Sequence, residues 1–537
     1  MKKLLVVLLA TLMVLSLTGC GDKKEAAEQK LSMSIGGEPH YLDPVIASDN
    51  VSMIVLQQMY YGLFELDEGG NVVKTGCADY SISNDGLVYT FKIKDMKWSN
   101  GDPVTAENFV YGIKRSVGYG SGESYYSYFI TDYVVGAREL EGKDVADMDS
   151  MGVKVIDEKT FEITLIKPVA FFPSLMTMGV FYPVHPAYAK EHDSLWADST
   201  DVPVNGPFVP TKINLVEEIV MKKNDNFINA DKVSLSEITI KIMPDMDAEL
   251  LAFQSGEIDF AAATNDSVVK LYAGKPELVY AGSVINYYFY INSADFTTAK
   301  ALRDVNVRQA LLWAVDREQL VEVMDAGDIY NPLYGYVPIG IPGISSDFRL
   351  EQDKADQLVG YDQAKAIELL KTAGYSVDKP LKLVYYYNQN AMHDAVSANL
   401  QAQYKQVGIE LTLKTADIRT FFDDRDSNGK YELARGAMSA DFMDPTTFLD
   451  MLASWAQQKV IINDAKYDGL LKAAQDELDP KARMELLHEA ENYLIGEMAY
   501  VCPLFYYDKA YLVKDGVVGV GYDPTGNIRL AYAKIIK

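Results

Sequence analysis

An α/β fold built on a mostly parallel or mixed sheet is predicted by three observations. Strand-like and helix-like stretches alternate through the last third of the chain. The first half is richer in short alternating strands and turns. The chain has 537 residues with 48% apolar and 23% charged content, the balance of a globular protein long enough for two or three domains with large cores.

The elements follow in order. A short strand-like run opens at Leu31, and the loop at Glu38, Pro39 and Pro44 is succeeded by helical apolar spacing over 51–63. Tyr89, Phe91 and Ile93 alternate with Thr90 and Lys92, the pattern of a half-buried strand. A turn at 98–103 leads to Thr105, the expected cap of a helix with Phe109, Val110 and Ile113 on one face. Residues 153–156 and 160–165 read as a hairpin around Asp157, Glu158 and Lys159. Strands are expected around Ile219 and over 238–242, a helix over 248–255 stopped by Gly256, and strands over 258–260 and 287–292. One long helix over 304–324 is predicted from Ala310, Leu311, Ala314, Val315 and Leu320. The helix over 362–373 has Asp362 as N-cap and Gly374 beyond its end; strands over 381–387 and 409–413 enclose a helix capped by Asn390 and running to Gln406. No internal repeat is present.

Charge and cysteine content exclude several functions. A net charge of −26 gives a surface that repels phosphate backbones, so no nucleic-acid partner is expected. The 36 tyrosines suit cores and also clefts that grip polar ligands. Lys2 and Lys3, the apolar run 4–15, and Leu17-Thr18-Gly19-Cys20 resemble the signal of a bacterial lipoprotein; this implies cleavage before Cys20 and its diacylation. Residues 1–19 are then the signal peptide and 20–30 a charged tether. Cys77 and Cys502 remain, without metal-knuckle spacing, and whether they meet is open.

The five histidines form no HExxH, and there is no GxSxG elbow and no phosphate-cradling loop. Residues 424–429 match the first half of a calcium loop, but its twelfth position is Arg435 in place of the bidentate Glu, so a polar turn is the better reading. Residues 434–445 (A-R-G-A-M-S-A-D-F-M-D-P) set Arg435 six positions before Asp441. Asp444 and Pro445 read as an N-cap and first helical residue, opening a helix with Phe448, Leu449, Leu452 and Trp455. Asp441 precedes that helix, where it either faces a cleft or forms an internal ion pair with Arg435.

From about Glu38 to the end, the chain resembles the extracytoplasmic solute-binding proteins of ABC importers, and within them the oligopeptide-binding lipoproteins. The residues that carry the resemblance are 89–91 with 97–106 and 109–111, residues 304–311 with 314–317, the stretch 434–445, and more weakly 42–44 and 255–259. It implies a class II, cluster C, periplasmic-binding-protein-like fold of two lobes with mixed sheets plus a smaller extra α+β domain, with the ligand in the interlobe cleft. The first lobe would take 31–61, 183–282 and 509–537, the extra domain 62–182, and the second lobe 283–508, with hinges near 283–288 and 503–508.

Residue by residue, the resemblance puts Asp441 at the carboxylate that pairs a peptide's α-amine. Arg435, His393 and Arg425 fall at groups holding the peptide's carboxylate, although one residue is inserted between Arg425 and Arg435. Tyr125, Phe289, Met438 and Phe442 are expected pocket residues. Met438 and Ile418 replace family tryptophans, and Ser439 and Ile285 stand where the peptide binders have a disulfide, so side-chain preferences do not carry over. The implied protein is no enzyme and needs no cofactor or metal. It is a monomeric receptor, lipid-anchored at the outer face of the cell membrane, that binds short oligopeptides and delivers them to ABC permease subunits and their ATPases. Alternatives are the same fold holding an oligosaccharide, a nickel complex or haem, or a different class altogether, a surface hydrolase or a signalling or adhesion lipoprotein.

Overall fold

The structure is a computed structural model that describes residues 29–192, 197–262, 265–294, 299–324, 329–351, 358–427, 429–456 and 462–536. The signal segment, Cys20 and the tether up to residue 28 lie outside the described residues. Gln29 exchanges hydrogen bonds with the backbone of Ile535, immediately before the strand Lys30–Ser34.

Among the described residues, one sheet of 11 strands organises the molecule. From one edge its strands run Ile409–Ala416, Leu381–Asn388, Leu433–Ser439, Leu278–Ile291, Val501–Val513, Phe260–Ala261, Lys30–Ser34, Glu237–Lys241, Glu218–Lys223 and Phe208–Asn214, with Tyr330–Pro332 also pairing Val501–Val513. The sheet is mixed, as expected. Leu381–Asn388 is parallel to both of its neighbours, whereas Phe208–Asn214, Glu218–Lys223 and Glu237–Lys241 form an antiparallel meander. Two strands, of 14 and 13 residues, pair antiparallel down the centre and belong to both halves. Their register breaks between Ala281 and Ile285, and the expected hinge segments fall inside them. The ladder is locally disrupted at that point, as at a β-bulge.

The core divides accordingly. One cluster joins most of the buried residues of 31–281, together with Phe442, to Tyr511, Val513 and the C-terminal segment; a second is built almost wholly from 284–510, and a small third packs Phe253, Ile258 and Tyr272 against Leu512. The expected extra domain has its own four-stranded antiparallel sheet, in the order Ala78–Ile82, Val88–Ile93, Thr160–Thr164 and Val153–Asp157, but shares the first cluster with the first lobe. Tyr89, Phe91 and Ile93 all point into that core, as their alternation predicts.

Motif residues are explained by local bonding. Asn108 Oδ1 accepts from the Thr105 backbone N–H at 2.8 Å and from Trp98 Nε1 at 3.1 Å, so the turn at 98–103 and the helix Ala106–Glu123 form one capped unit. Arg115 and Asp43 make a buried two-point pair at 2.9 and 2.6 Å that fixes the loop after Leu42. The expected long helix over 304–324 is instead two, Val305–Trp313 and Arg317–Met324. Asp316 accepts from the Gln319 backbone N–H and so caps the second helix, while Arg317 takes the Leu312 and Val315 carbonyls and reaches Pro503 O at 2.8 Å on the central strand. Local capping beats apolar periodicity there. The helix expected after Pro445 is also shorter, Thr446–Leu449 with a 3₁₀ turn Asp450–Leu452, and Trp455 lies outside it. Asp444 does accept from the Thr446 backbone N–H, at 3.1 Å, but its larger contact is a buried pair with Arg483 at 2.7 and 2.9 Å. Cys77 and Cys502 are free buried thiols.

Candidate ligand-binding cleft

The site is built around the strand Leu433–Ser439. On one side its whole length pairs with Leu278–Ile291; on the other only Leu433 and Ala434 pair, with Tyr385 and Tyr386. The backbone from Gly436 to Ser439 therefore presents a strand edge with no strand partner among the described residues, and Ala437, Met438 and Ser439 are half-buried rather than sealed. Gly436 is needed where it is: a Cβ there would meet the Tyr288 ring at 2.6 Å and the Tyr290 ring at 3.0 Å. The edge is flanked by opposite charges, Arg435 at its start and Asp441 two residues past its end.

Arg435 is 7% exposed and sits over Phe421 and Phe422 at 4.9 and 5.3 Å from the ring centroids. Its Nε donates to Asn388 Oδ1 at 2.7 Å and its Nη2 to the same oxygen. Asn388 is neutral, and no carboxylate pairs with Arg435 among the described residues. Burial lowers the guanidinium from its ordinary value, as expected of a cation held without a counter-ion.

His393 lies in the first turn of the helix Ala391–Val407, whose N-cap Asn390 accepts from the Met392 N–H. Its Nδ1 lies 3.0 Å from Tyr287 Oη, and burial, reinforced by the charge of Arg435, pushes its pKa down to about 4. At neutral pH it is an uncharged imidazole at a helix N-terminus. Arg425 is held differently from Arg435: it pairs with Asp426 at 2.5 and 2.8 Å and donates to Arg435 O at 3.2 Å. Around it, Asp424 accepts from Tyr386 Oη at 3.2 Å and faces Lys430 at 3.7 Å; where the sequence predicts a polar turn, Asp423–Ser427 forms a π-helical turn and Asn428 lies outside the described residues, and among the described residues no cluster of carboxylates, histidines and cysteines is arranged to hold a metal.

At the other end, Asp441 is half-buried and has no ion-pair partner among the described residues, so the internal pair with Arg435 is not formed. Its Oδ1 accepts from Tyr126 Oη at 3.1 Å and its backbone N–H donates to Thr447 Oγ1 at 3.1 Å. Burial pushes the carboxyl up to about 6, with the Tyr126 hydrogen bond acting against it. The extra domain clamps this segment. Met443 N donates to Ser174 Oγ at 2.9 Å, and Phe442 stacks on Phe171 and meets Phe129 edge-on, each at 5.4 Å.

Tyr125 and Phe442 line a cavity of about 810 Å³ between extra domain and second lobe, with Tyr128, Asp450 and Trp455 among its other walls. Arg435, Arg425, His393 and Asp441 do not line it. Met438 packs half-buried on the second core; Phe289 is fully buried against Tyr385, directly across the strand pair from Arg435. Three functional contacts were missed from sequence: Asn388, Tyr287 and Tyr126. The run Tyr125-Tyr126-Ser127-Tyr128 hinted at the last, but its facing was undecidable without the fold.

Two cores joined by a pair of long strands, with a strand edge that has no strand partner and two flanking charges that have no ion-pair partner among the described residues, form a frame suited to holding a solute. Residues 72–459 match the bacterial extracellular solute-binding proteins, family 5, over the family's middle region, and the chain belongs to that family. It is 30% identical to the periplasmic oligopeptide-binding protein OppA of Escherichia coli, over 95% of this chain and 93% of that protein. It is 29% identical to the oligopeptide-binding protein OppA of Bacillus subtilis, over 96% of this chain and 95% of the relative. Among solved structures, the murein tripeptide binding protein MppA of Escherichia coli superposes with a TM-score of 0.76 at 27% identity, covering 95% of this chain and 99% of that one. The protein is therefore an extracellular solute-binding protein and not an enzyme.

Proposed function

We propose that the protein is a receptor for short peptides, held as zwitterions along the strand edge 436–439, with the ammonium on Asp441 and the carboxylate at Arg435. The observation that carries this reading is the pair of buried or half-buried charges that have no counter-ion among the described residues, one at each end of an edge with no strand partner among them. An isolated buried charge is costly, and a ligand bringing the complementary charge removes that cost. The edge supplies main-chain donors and acceptors that bind an extended peptide whatever its side chains, by strand addition. With about 3.3 Å per residue, the Cα atoms of Arg435 and Asp441 are at most about 20 Å apart, a span suited to a few residues. His393 adds a neutral ring and the N-terminal end of its helix at the carboxylate end. Arg425, saturated by Asp426, acts by holding the Arg435 backbone and by its long-range charge. The names of the relatives, oligopeptide- and tripeptide-binding proteins, agree with this chemistry.

In titration calorimetry an N-acetylated tripeptide binds at least tenfold (about 1.4 kcal/mol) more weakly than the free one; equal affinities would remove Asp441 as the amine anchor. The receptor is tethered to the outer face of the membrane through a lipid on Cys20 and hands its peptide to an ABC permease. Cys20→Ser should abolish incorporation of a labelled fatty acid and release the protein from the membrane; persistent labelling would refute the anchor.

A further inference from the structure

The Arg435 guanidinium donates two hydrogen bonds to one acceptor, Asn388 Oδ1. Asn388 ends the strand Leu381–Asn388, two residues before the cap of the helix that carries His393, and is itself buried at 7% exposure. Its place is fixed by the parallel ladder, in which it pairs with Ala416. An aspartate has the same shape and would make a two-point ion pair. This chain makes such pairs elsewhere with buried arginines, at Arg115 with Asp43 and at Arg483 with Asp444. At Arg435 the partner is instead an amide, which orients the fork and leaves its charge uncompensated. No hydrogen bond engages Arg435 Nη1 or Asn388 Nδ2 among the described residues, so each keeps a donor to offer. Among the described residues no other group nearby supplies the missing negative charge. His393 is neutral, the Tyr287, Tyr385 and Tyr507 phenols are held protonated by burial, and Asp426 is spent on Arg425.

We infer that Asn388 is a specificity-determining positioning residue: it holds the Arg435 fork without neutralising it, so this end of the cleft selects ligands carrying a free carboxylate. The inference rests on reading Arg435 as the carboxylate anchor and adds the reason why that anchor stays available. Aspartate at 388 would fill the anchor with an internal anion and repel an incoming one. Alanine would loosen the fork but leave its charge unspent.

The test compares trialanine with trialanine amide by calorimetry on the wild type, Asn388→Asp and Asn388→Ala, with N-acetyl-trialanine as a control for the opposite end. The wild type should prefer the free acid at least tenfold. Asn388→Asp should bind the acid at least tenfold more weakly and bring the acid-to-amide preference to about one or below, while the N-acetyl penalty persists and shows an intact cleft. Asn388→Ala should bind both peptides more weakly yet still prefer the acid, a result that stands by itself if the aspartate variant does not fold. An unchanged preference in Asn388→Asp, or a lost one in Asn388→Ala, overturns the role of Asn388 and leaves the Arg435 anchor standing. Equal binding of acid and amide by the wild type overturns both.

Discussion

Asp441→Asn isolates the charge at the amine end while keeping its shape. In the wild type the half-buried carboxylate has, among the described residues, one neutral donor, Tyr126 Oη at 3.1 Å, and no cation, so the ligand's ammonium would be its charged partner. A hydrogen bond to a charged group is worth about 1.5–3 kcal/mol, so the variant should bind trialanine about 10- to 150-fold more weakly. It should also lose the penalty for N-acetylation. The carboxyl titrates at about 6 in the free protein because burial disfavours its charge, and an ammonium favours the ionised form and lowers that value in the complex. Binding at pH 5 must first remove a proton, so wild-type affinity should fall about tenfold between pH 7 and pH 5, with proton release on binding; the variant should lack this step. The same shift acts on stability with the opposite sign to an ordinary salt-bridged aspartate. The folded-state pKa lies above the unfolded one, so this group lowers the stability of the free protein as pH rises from about 4 to about 6. Asp441→Asn should then raise the unfolding free energy of ligand-free protein at pH 7, read from urea unfolding, by about 1–3 kcal/mol, while weakening binding. Calorimetry at both pH values and urea unfolding decide the matter. A variant that binds free and N-acetylated trialanine as tightly as the wild type, with the same pH dependence, would refute the reasoning.

Further outcomes follow from the same geometry. Arg483→Leu strands the buried Asp444 carboxylate and should cost about 3–5 kcal/mol in urea unfolding; a change below 1 kcal/mol (roughly the cost of a surface pair) would contradict a sealed pair. Gly436→Ala drives a Cβ to 2.6 Å from the Tyr288 ring and should destabilise by about 1–3 kcal/mol and weaken trialanine at least tenfold; wild-type binding would show that the edge does not need this close approach. His393 is held neutral, with a folded pKa of about 4 below the unfolded 6.5. Unfolded chain therefore gains a proton first, and stability attributable to this residue is lost as pH falls from about 6.5 to about 4. His393→Gln should flatten that loss, by up to about 3 kcal/mol, and an unchanged acid profile would count against a neutral buried imidazole.

Much of the scaffold was legible because it is written in local signals. Caps at Asp362, Asn390 and Gly256 and the alternation of Tyr89, Phe91 and Ile93 depend on neighbours a few residues away, and all fell where predicted. The helix over 304–324 was misjudged because periodicity counts apolar residues and not the competing cap at Asp316. The site divides in the same way. Arg435 and Asp441 stood out as charges among small and apolar neighbours, but six residues of spacing permits an ion pair in one conformation and forbids it along a strand. Only the extended backbone of Leu433–Ser439 decides between them. Asn388 is 47 positions from Arg435, and Tyr126 is 315 from Asp441. Contacts of that range are fixed by the sheet order and by the docking of the extra domain, which no local pattern encodes.

A crystal structure grown with trialanine tests the central claim most directly. The peptide should lie extended along residues 436–439, its ammonium within hydrogen-bonding distance of an Asp441 oxygen and its carboxylate facing Arg435 and Asn388. A peptide bound in the reverse direction, or seated away from that edge with both charges still unpaired, would contradict it.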